Sequence, residues 1–170
     1  MTNTVSITPY NKRLVRATFW MVESKTDEAA KVFYSKLFEM SPELRPLFKG
    51  NMQMQGRKMM EMISTVVKGL NTLDVLAPLV RNMGRRHMTY GIRSEHYNMA
   101  AAALMYSLKE ELKENWNEEV EAASARSLRN SLRYHAIRLN YEFQKICPCG
   151  HQPYFLCFID VAHYSWVNRV

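Results

Sequence analysis

The sequence predicts an all-α domain around one buried core. Apolar residues recur at three- and four-residue spacing in stretch after stretch, which is the helical period. No segment of the body alternates apolar and polar residues with period two, the pattern of a half-buried strand. Gly and Pro are scarce, six each, beside 12 methionines, a composition that suits helices. With 170 residues, 47% of them apolar, the chain suits a single domain with a sizeable core and is not that of a disordered protein.

Taken in order, Thr8-Pro9 opens the first helix, a capping residue before Pro at the first helical position. Leu14, Val15, Thr18, Phe19 and Val22 form its inner stripe, and the polar residues 23–28 interrupt it. A second helix carries Ala30, Phe33, Tyr34, Leu37 and Phe38 on one face. Ser41-Pro42 starts a short helical turn, and Lys49-Gly50 breaks the chain. A third helix runs from about Met52 to Leu70, with Gln55, Met59, Met62, Val66 and Leu70 sharing a face. Asn71-Thr72 and Asp74 open the next helix, whose face holds Leu76, Leu79, Val80, Met83 and His87. Thr89-Tyr90-Gly91 reads as its stop, because Gly tolerates the left-handed conformation that ends helices. Ser94-Glu95 reads as the cap and first-turn acid of a further helix bearing Tyr97, Ala101, Leu104, Met105, Leu108 and Leu112. It ends at Lys113-Glu114-Asn115.

The net charge is +7, but its distribution argues against a nucleic-acid surface. Residues 1–123 hold 17 Lys/Arg against 14 Asp/Glu, and residues 124–170 hold 6 against 2. No basic stripe with interleaved aromatics runs through the body. Neither a signal-peptide pattern nor a run of 18 apolar residues is present, so no nucleic-acid or membrane partner is expected and the expected location is cytoplasmic. The three cysteines, Cys147, Cys149 and Cys157, all lie in the tail, so no disulfide supports the body.

The residue with the most chemistry is His87, an imidazole at the inner end of an apolar stripe. Neutral His is the commonest metal ligand, and a dry surround tunes a haem iron. The same pattern describes a satisfied core histidine. Gln55, polar at the head of an otherwise apolar face, is equally readable as a solvated or capping side chain. No phosphate-binding glycine loop, GxSxG or HxxxH occurs in the body.

The strings FYSKLFEMSPELRPLFKG (33–50), QGRKMMEMISTVVKGLNTLDVLAPL (55–79) and GRRHMTYGIRSEHY (84–97) decide between these readings. They resemble the globins, and among them the single-domain bacterial haemoglobins with neuroglobin-like features. The resemblance covers roughly residues 8–120, and the 32 residues from Gln55 to His87 match the family's distal-to-proximal distance without a gap. It implies a globin fold, a three-on-three helical sandwich around haem, over residues 1–146, with an atypical C-terminal tail at 147–170. It further implies haem b with His87 as the proximal iron ligand and Phe48 stacked on the ring. Tyr34 and Gln55 would be the distal polar pair, Met59 the distal apolar wall, and Met83, Ile92 and Tyr97 the proximal lining. Lys58 and Arg86 would meet the propionates. A phenol and an amide at the distal face can hydrogen-bond charge shifted onto an iron-bound gas, which implies tight oxygen binding. Met52, Met54 and Met59 read as core packing rather than thioether ligands, and His96 as a solvated or capping residue rather than a ligand.

The resemblance stops near Ala123. A helical stripe continues through Leu128, Leu132, Ala136, Leu139, Phe143 and Ile146, without the family's Trp and Tyr-Gly pair. Two readings stay open, a divergent C-terminus and a frameshifted one. Codons exist for Ser127–His135 that, read one nucleotide later, encode Ala-Tyr-Gly-Ile-Val-Tyr-Gly-Ile-Met. Cys147, Cys149, His151 and Cys157 fit no common zinc-finger spacing and are expected to be a loop with free thiols.

The leading functional expectation is a haem protein that binds oxygen and other gaseous ligands, carbon monoxide and nitric oxide among them. A second is nitric oxide dioxygenation, with a separate reductase as electron donor. A third, from a different class, is a haem-free helical interaction module.

Overall fold

Helix α1 (Pro9–Glu23) begins as its sequence dictates, with the Thr8 hydroxyl accepting a hydrogen bond from the Asn11 N–H at 3.2 Å and Pro at the start. In the computed structural model, residues 7–129 and 131 are described, and the remarks below concern these. Helix α2 (Thr26–Met40) follows after a two-residue link, then a 3₁₀ turn (Pro42–Leu47) that Pro42 initiates. Helix α3 (Met52–Lys68) is capped by Asn51, whose side-chain oxygen accepts from the Met54 N–H at 3.0 Å. Helix α4 (Leu73–Thr89) carries His87 in its last turn, and helix α5 (Ser94–Leu112) runs into a short 3₁₀ turn (Lys113–Asn115). A final helix, α6, occupies residues 118–129, capped by the Asn117 side chain on the Val120 N–H at 3.0 Å. The described residues contain no strand, and no helix among them is long and apolar enough to cross a membrane.

Helix α2 is the hub. It lies closely against α5 and α3, and α1 packs on α3 and α5. One part of the core gathers Phe19, Val22, Ala29, Ala30, Met60, Leu112 and Val120. A second gathers Phe33, Tyr34, Leu37, Leu44, Ala103 and Leu104 beneath the 3₁₀ turn. Helix α4, in contrast, makes no extended close approach to the backbone of α1, α2, α3 or α5. Arg16 of α1 ties off α3, donating to the carbonyls of Val67 and Lys68 at 3.4 and 3.2 Å.

Three sequence expectations need correction. The fully buried residues of α3 are Gly56 and Met60, and Met59, Ile63 and Val67 pack against the core beside them. Gln55 is exposed, and Met62 and Val66 are half-buried. Gly56 is the reason: having no side chain, it lets α3 settle on α2, a role invisible to a count of apolar residues. Leu79 is exposed, because the inner stripe of α4 is the narrower series Leu76, Val80, Met83 and His87. The residue before α5 is Arg93, and Ser94 is already helical. The cap comes from inside the helix, where the buried His96 ring accepts the Arg93 backbone N–H at its Nδ1, 3.1 Å away. His96 is therefore a capping residue, as expected, but not a solvated one. The C-terminal tail with Cys147, Cys149, His151 and Cys157, and the family-atypical stripe beyond Leu128, lie outside the described residues.

Candidate functional site

Tyr34, on the inner face of α2, is buried and sits among three aromatic rings. Its centroid lies 4.9 Å from Phe33, 5.8 Å from Phe38 and 5.3 Å from Phe48, and Phe38 and Phe48 are 5.2 Å apart. Edge-to-face contacts dominate, the favourable arrangement for rings with negative faces and positive edges. Phe48 reaches this group because the 3₁₀ turn delivers it, its N–H closing on the Arg45 carbonyl at 3.1 Å. Met59 from α3 and Ile92 from the α4–α5 link pack against the same cluster. Gln55 comes from the first turn of α3. Burial raises the Tyr34 pKa, and the hydrogen bond with Gln55 opposes this without overcoming it, so the phenol keeps its proton.

A second group of candidate residues comes from α4 and α5. The His87 ring is half-buried and meets the Tyr97 ring edge-on, centroids 6.0 Å apart at 69°. Desolvation lowers the His87 pKa, which favours the neutral imidazole, the form that ligates metals. Burial likewise pushes the Tyr97 phenol up to about 12. Helix α4 ends just past His87: Gly91 takes φ +81°, and the Ile92 N–H donates to the His87 carbonyl at 3.0 Å. That bond joins the two groups, since Ile92 also packs in the Tyr34 cluster.

The sequence-predicted residues therefore divide. Tyr34, Phe48, Met59 and Ile92 converge in one apolar cluster, and Gln55 acts on its phenol from the exposed side of α3. His87 and Tyr97 form a pair joined to it through Ile92. Met83 lies deeper, in a cavity with Ile63, Leu104 and Leu108. Lys58 and Arg86 are exposed on α3 and α4. Phe38 belongs to the site although sequence reasoning placed it only on a helix face; its spacing of four from Tyr34 was the available signal. Among the described residues no cluster of three or more His, Cys, Asp or Glu side chains could hold a metal ion unaided.

A family model for globins matches residues 31–132, well over half of the chain. The chain belongs to the globin family.

This globin is similar to the flavohemoprotein of Bacillus cereus, 30% identical over 100 residues, covering 57% of this chain and 25% of that protein. It is also similar to that of Bordetella parapertussis, 28% identical over 117 residues, covering 67% of this chain and 29% of that one. The chain thus spans between a quarter and a third of the length of these relatives. Among solved structures, the fold matches a bacterial globin from Campylobacter jejuni with a TM-score of 0.68 at 20% identity, covering 79% of this chain and 99% of that one. It also matches an engineered carbene transferase made from a candidate nitric oxide dioxygenase of Rhodothermus marinus. There the TM-score is 0.73 at 19% identity, covering 82% of this chain and 98% of the other. The architecture is the globin fold.

The residues suit a haem. A flat apolar ring needs aromatic and aliphatic walls, a neutral nitrogen donor and water-facing cations for its carboxylates. The Tyr34 cluster, His87 and the exposed pair Lys58 and Arg86 are those three kinds of group.

Proposed function

We infer that this globin binds haem b and uses it to bind oxygen and other small gaseous ligands reversibly. The observation that carries the reading is the neutral, half-buried His87 imidazole, joined through Ile92 to the aromatic cluster around Tyr34. His87 would hold the iron, Phe48 would lie on the ring, and Met59, Met83, Ile92 and Tyr97 would wall it. Lys58 and Arg86, both exposed, would pair with the propionates. When bound, haem supplies an iron centre that takes up diatomic gases.

The protein's own contribution is exclusion of water and a fixed set of donors. Tyr34 stays protonated because it is buried, so its O–H is a donor at neutral pH. Gln55 supplies an N–H beside it from an exposed position that permits it to swing aside. A polarised guest near this pair accepts charge-assisted hydrogen bonds, stronger than neutral ones.

The experiment is an absorption spectrum of purified, reduced protein with and without carbon monoxide. A sharp Soret band that shifts on adding the gas is expected. Absence of a Soret band after reconstitution with haem overturns the reading and favours a haem-free interaction module.

A second reading is nitric oxide dioxygenation, favoured by the similarity to the engineered enzyme from a candidate nitric oxide dioxygenase. Oxygen, nitric oxide and one electron give nitrate, the electron coming from a reductase partner. Nitrate formed in stoichiometry with consumed nitric oxide, in the presence of a reductase, separates this reading from simple gas binding.

A further inference from the structure

His96, at the third position of α5, is buried, only 6% exposed. It holds both backbone groups of Arg93. Its Nδ1 accepts the Arg93 N–H at 3.1 Å, and its own N–H donates to the Arg93 carbonyl at 3.1 Å. The adjoining residue, Ile92, donates its N–H to the His87 carbonyl at 3.0 Å. On the other side of His96, Tyr97 sets its ring edge-on to the His87 ring, centroids 6.0 Å apart. The contacts therefore close a circuit, from His87 through Ile92 and Arg93 to His96, and back through Tyr97 to His87. At the far nitrogen of His96, Glu43 Oε1 from the 3₁₀ turn stands 4.0 Å from Nε2, and Arg93 Nη2 stands 3.5 Å from it. The Arg93 guanidinium is itself paired through Nε with Glu95 at 3.0 Å.

We propose that His96 is a positioning residue for His87, fixing the direction in which the imidazole is offered to a haem iron, a role that rests on the haem reading above. Groups outside the ligand shell orient a ligating histidine and so tune its metal. His87 lies in the last turn of α4, where a helix leaves its carbonyls without intrahelical partners. The chain turns out of α4 at Gly91, and the next two residues are tied by their N–H groups to His87 and to His96. In a capping box the third helical residue is ordinarily Glu or Gln, whose side chain reaches back to the N–H before the helix. A histidine there does the same with a rigid, buried ring, so the first turn of α5 is fixed against the link and Tyr97 is aimed at His87. Nδ1 accepts only without a proton, so the neutral ring carries its proton on Nε2, the side that faces the Glu43 carboxylate.

The test compares the full chain with His96→Leu, which removes the acceptor, and His96→Gln, which restores one by the ordinary capping-box chemistry. In the purified protein, kept diamagnetic by carbon monoxide where haem is bound, NMR follows amide exchange at Arg93 and the ring-proton shifts of His87. In the reduced, gas-free protein, resonance Raman follows the iron–His87 stretching band. His96→Leu is expected to speed Arg93 exchange about tenfold, the worth of one hydrogen bond. It should also move the His87 ring shifts and shift and broaden the stretching band. His96→Gln should return all three to the values of the unaltered chain. A merely structural cap would lower Tm in His96→Leu and leave the ring shifts and the band in place, and that result overturns the proposal. So does a band that His96→Gln fails to restore once Arg93 exchange is slow again. Should circular dichroism show His96→Leu unfolded, His96→Ala takes its place with the same outcomes, alanine being the best helix former. Should the chain hold no haem, the haem reading fails by itself, and the His87 ring shifts still decide whether His96 sets that ring.

Discussion

A Cβ added to Gly56 would stand 2.8 Å from the Cβ of Ala30, so α3 and α2 touch backbone to side chain where they cross. Both partners are buried, and the neighbouring atoms belong to helix walls rather than to a flexible side-chain end. Gly56→Ala therefore forces the helices apart. Overpacking of this kind costs about 1–3 kcal/mol. Thermal denaturation should show a clear fall in Tm despite the better helix propensity of alanine; an unchanged or raised Tm would show that the crossing yields easily. Gly56 also immediately follows Gln55, so a displaced α3 would carry that side chain away from Tyr34.

Acid should weaken the same crossing. The Asp27 carboxylate accepts from Arg57 Nε at 3.2 Å and Nη2 at 3.0 Å, and from Gln53 Nε2 at 3.3 Å. The hydrogen bond from Arg57, then that from Gln53, hold its pKa below the ordinary 3.8. A depressed carboxylate pKa contributes stability that is present above the unfolded value and lost as pH falls through the folded one. Denaturation midpoints followed downward through the carboxylate range should fall less steeply for Asp27→Asn than for the unaltered chain. Superimposable acid limbs would mean that this ion pair, being exposed, contributes nothing.

His87→Ala should lose stable haem binding, because the only nitrogen donor on the inner stripe of α4 is removed. The measurement is haem retention through gel filtration, with the ferrous spectrum of what remains. Full retention with an unchanged spectrum would remove His87 from the role inferred for it.

Tyr34→Phe and Gln55→Leu should each speed oxygen release. A lost hydrogen bond to a polarised group costs roughly 1.5–3 kcal/mol, about ten- to more than a hundredfold in rate if it falls on dissociation. Carbon monoxide, less polarised, should respond less. Stopped-flow dissociation rates for both gases check this, and equal effects on the two would rule out hydrogen bonding as the cause. Tyr34→Phe should show the larger effect, since Tyr34 is buried and Gln55 is exposed.

The sequence by itself determined where the helices lie and what kinds of group face one another. Thr8-Pro9, Asn51 and Gly91 act through their own backbones and side chains, so their capping and stopping roles are local and legible. The aromatic run of α2, Phe33, Tyr34, Leu37 and Phe38, is equally local, since helical spacing alone puts those residues on one side. His87 and Gln55 stand out on their helix faces by spacing, Tyr34 and Phe48 only through a resemblance, and the packing of Tyr34 against Phe48 could not be read from spacing. Tertiary structure decided how deep each one sits. It turned α3 so that Gly56, not Gln55, lies innermost, because close approach rewards the absence of a side chain. It buried Ser107, whose hydroxyl donates to the Ala29 carbonyl at 2.6 Å, a partner 78 residues away that hydropathy cannot foresee. It also drew His96 inside to cap its own helix, and buried Ser127. For Gly56 against Ala30 and Ser107 against Ala29 the deciding quantity was the distance between residues far apart in the chain, which periodicity does not encode.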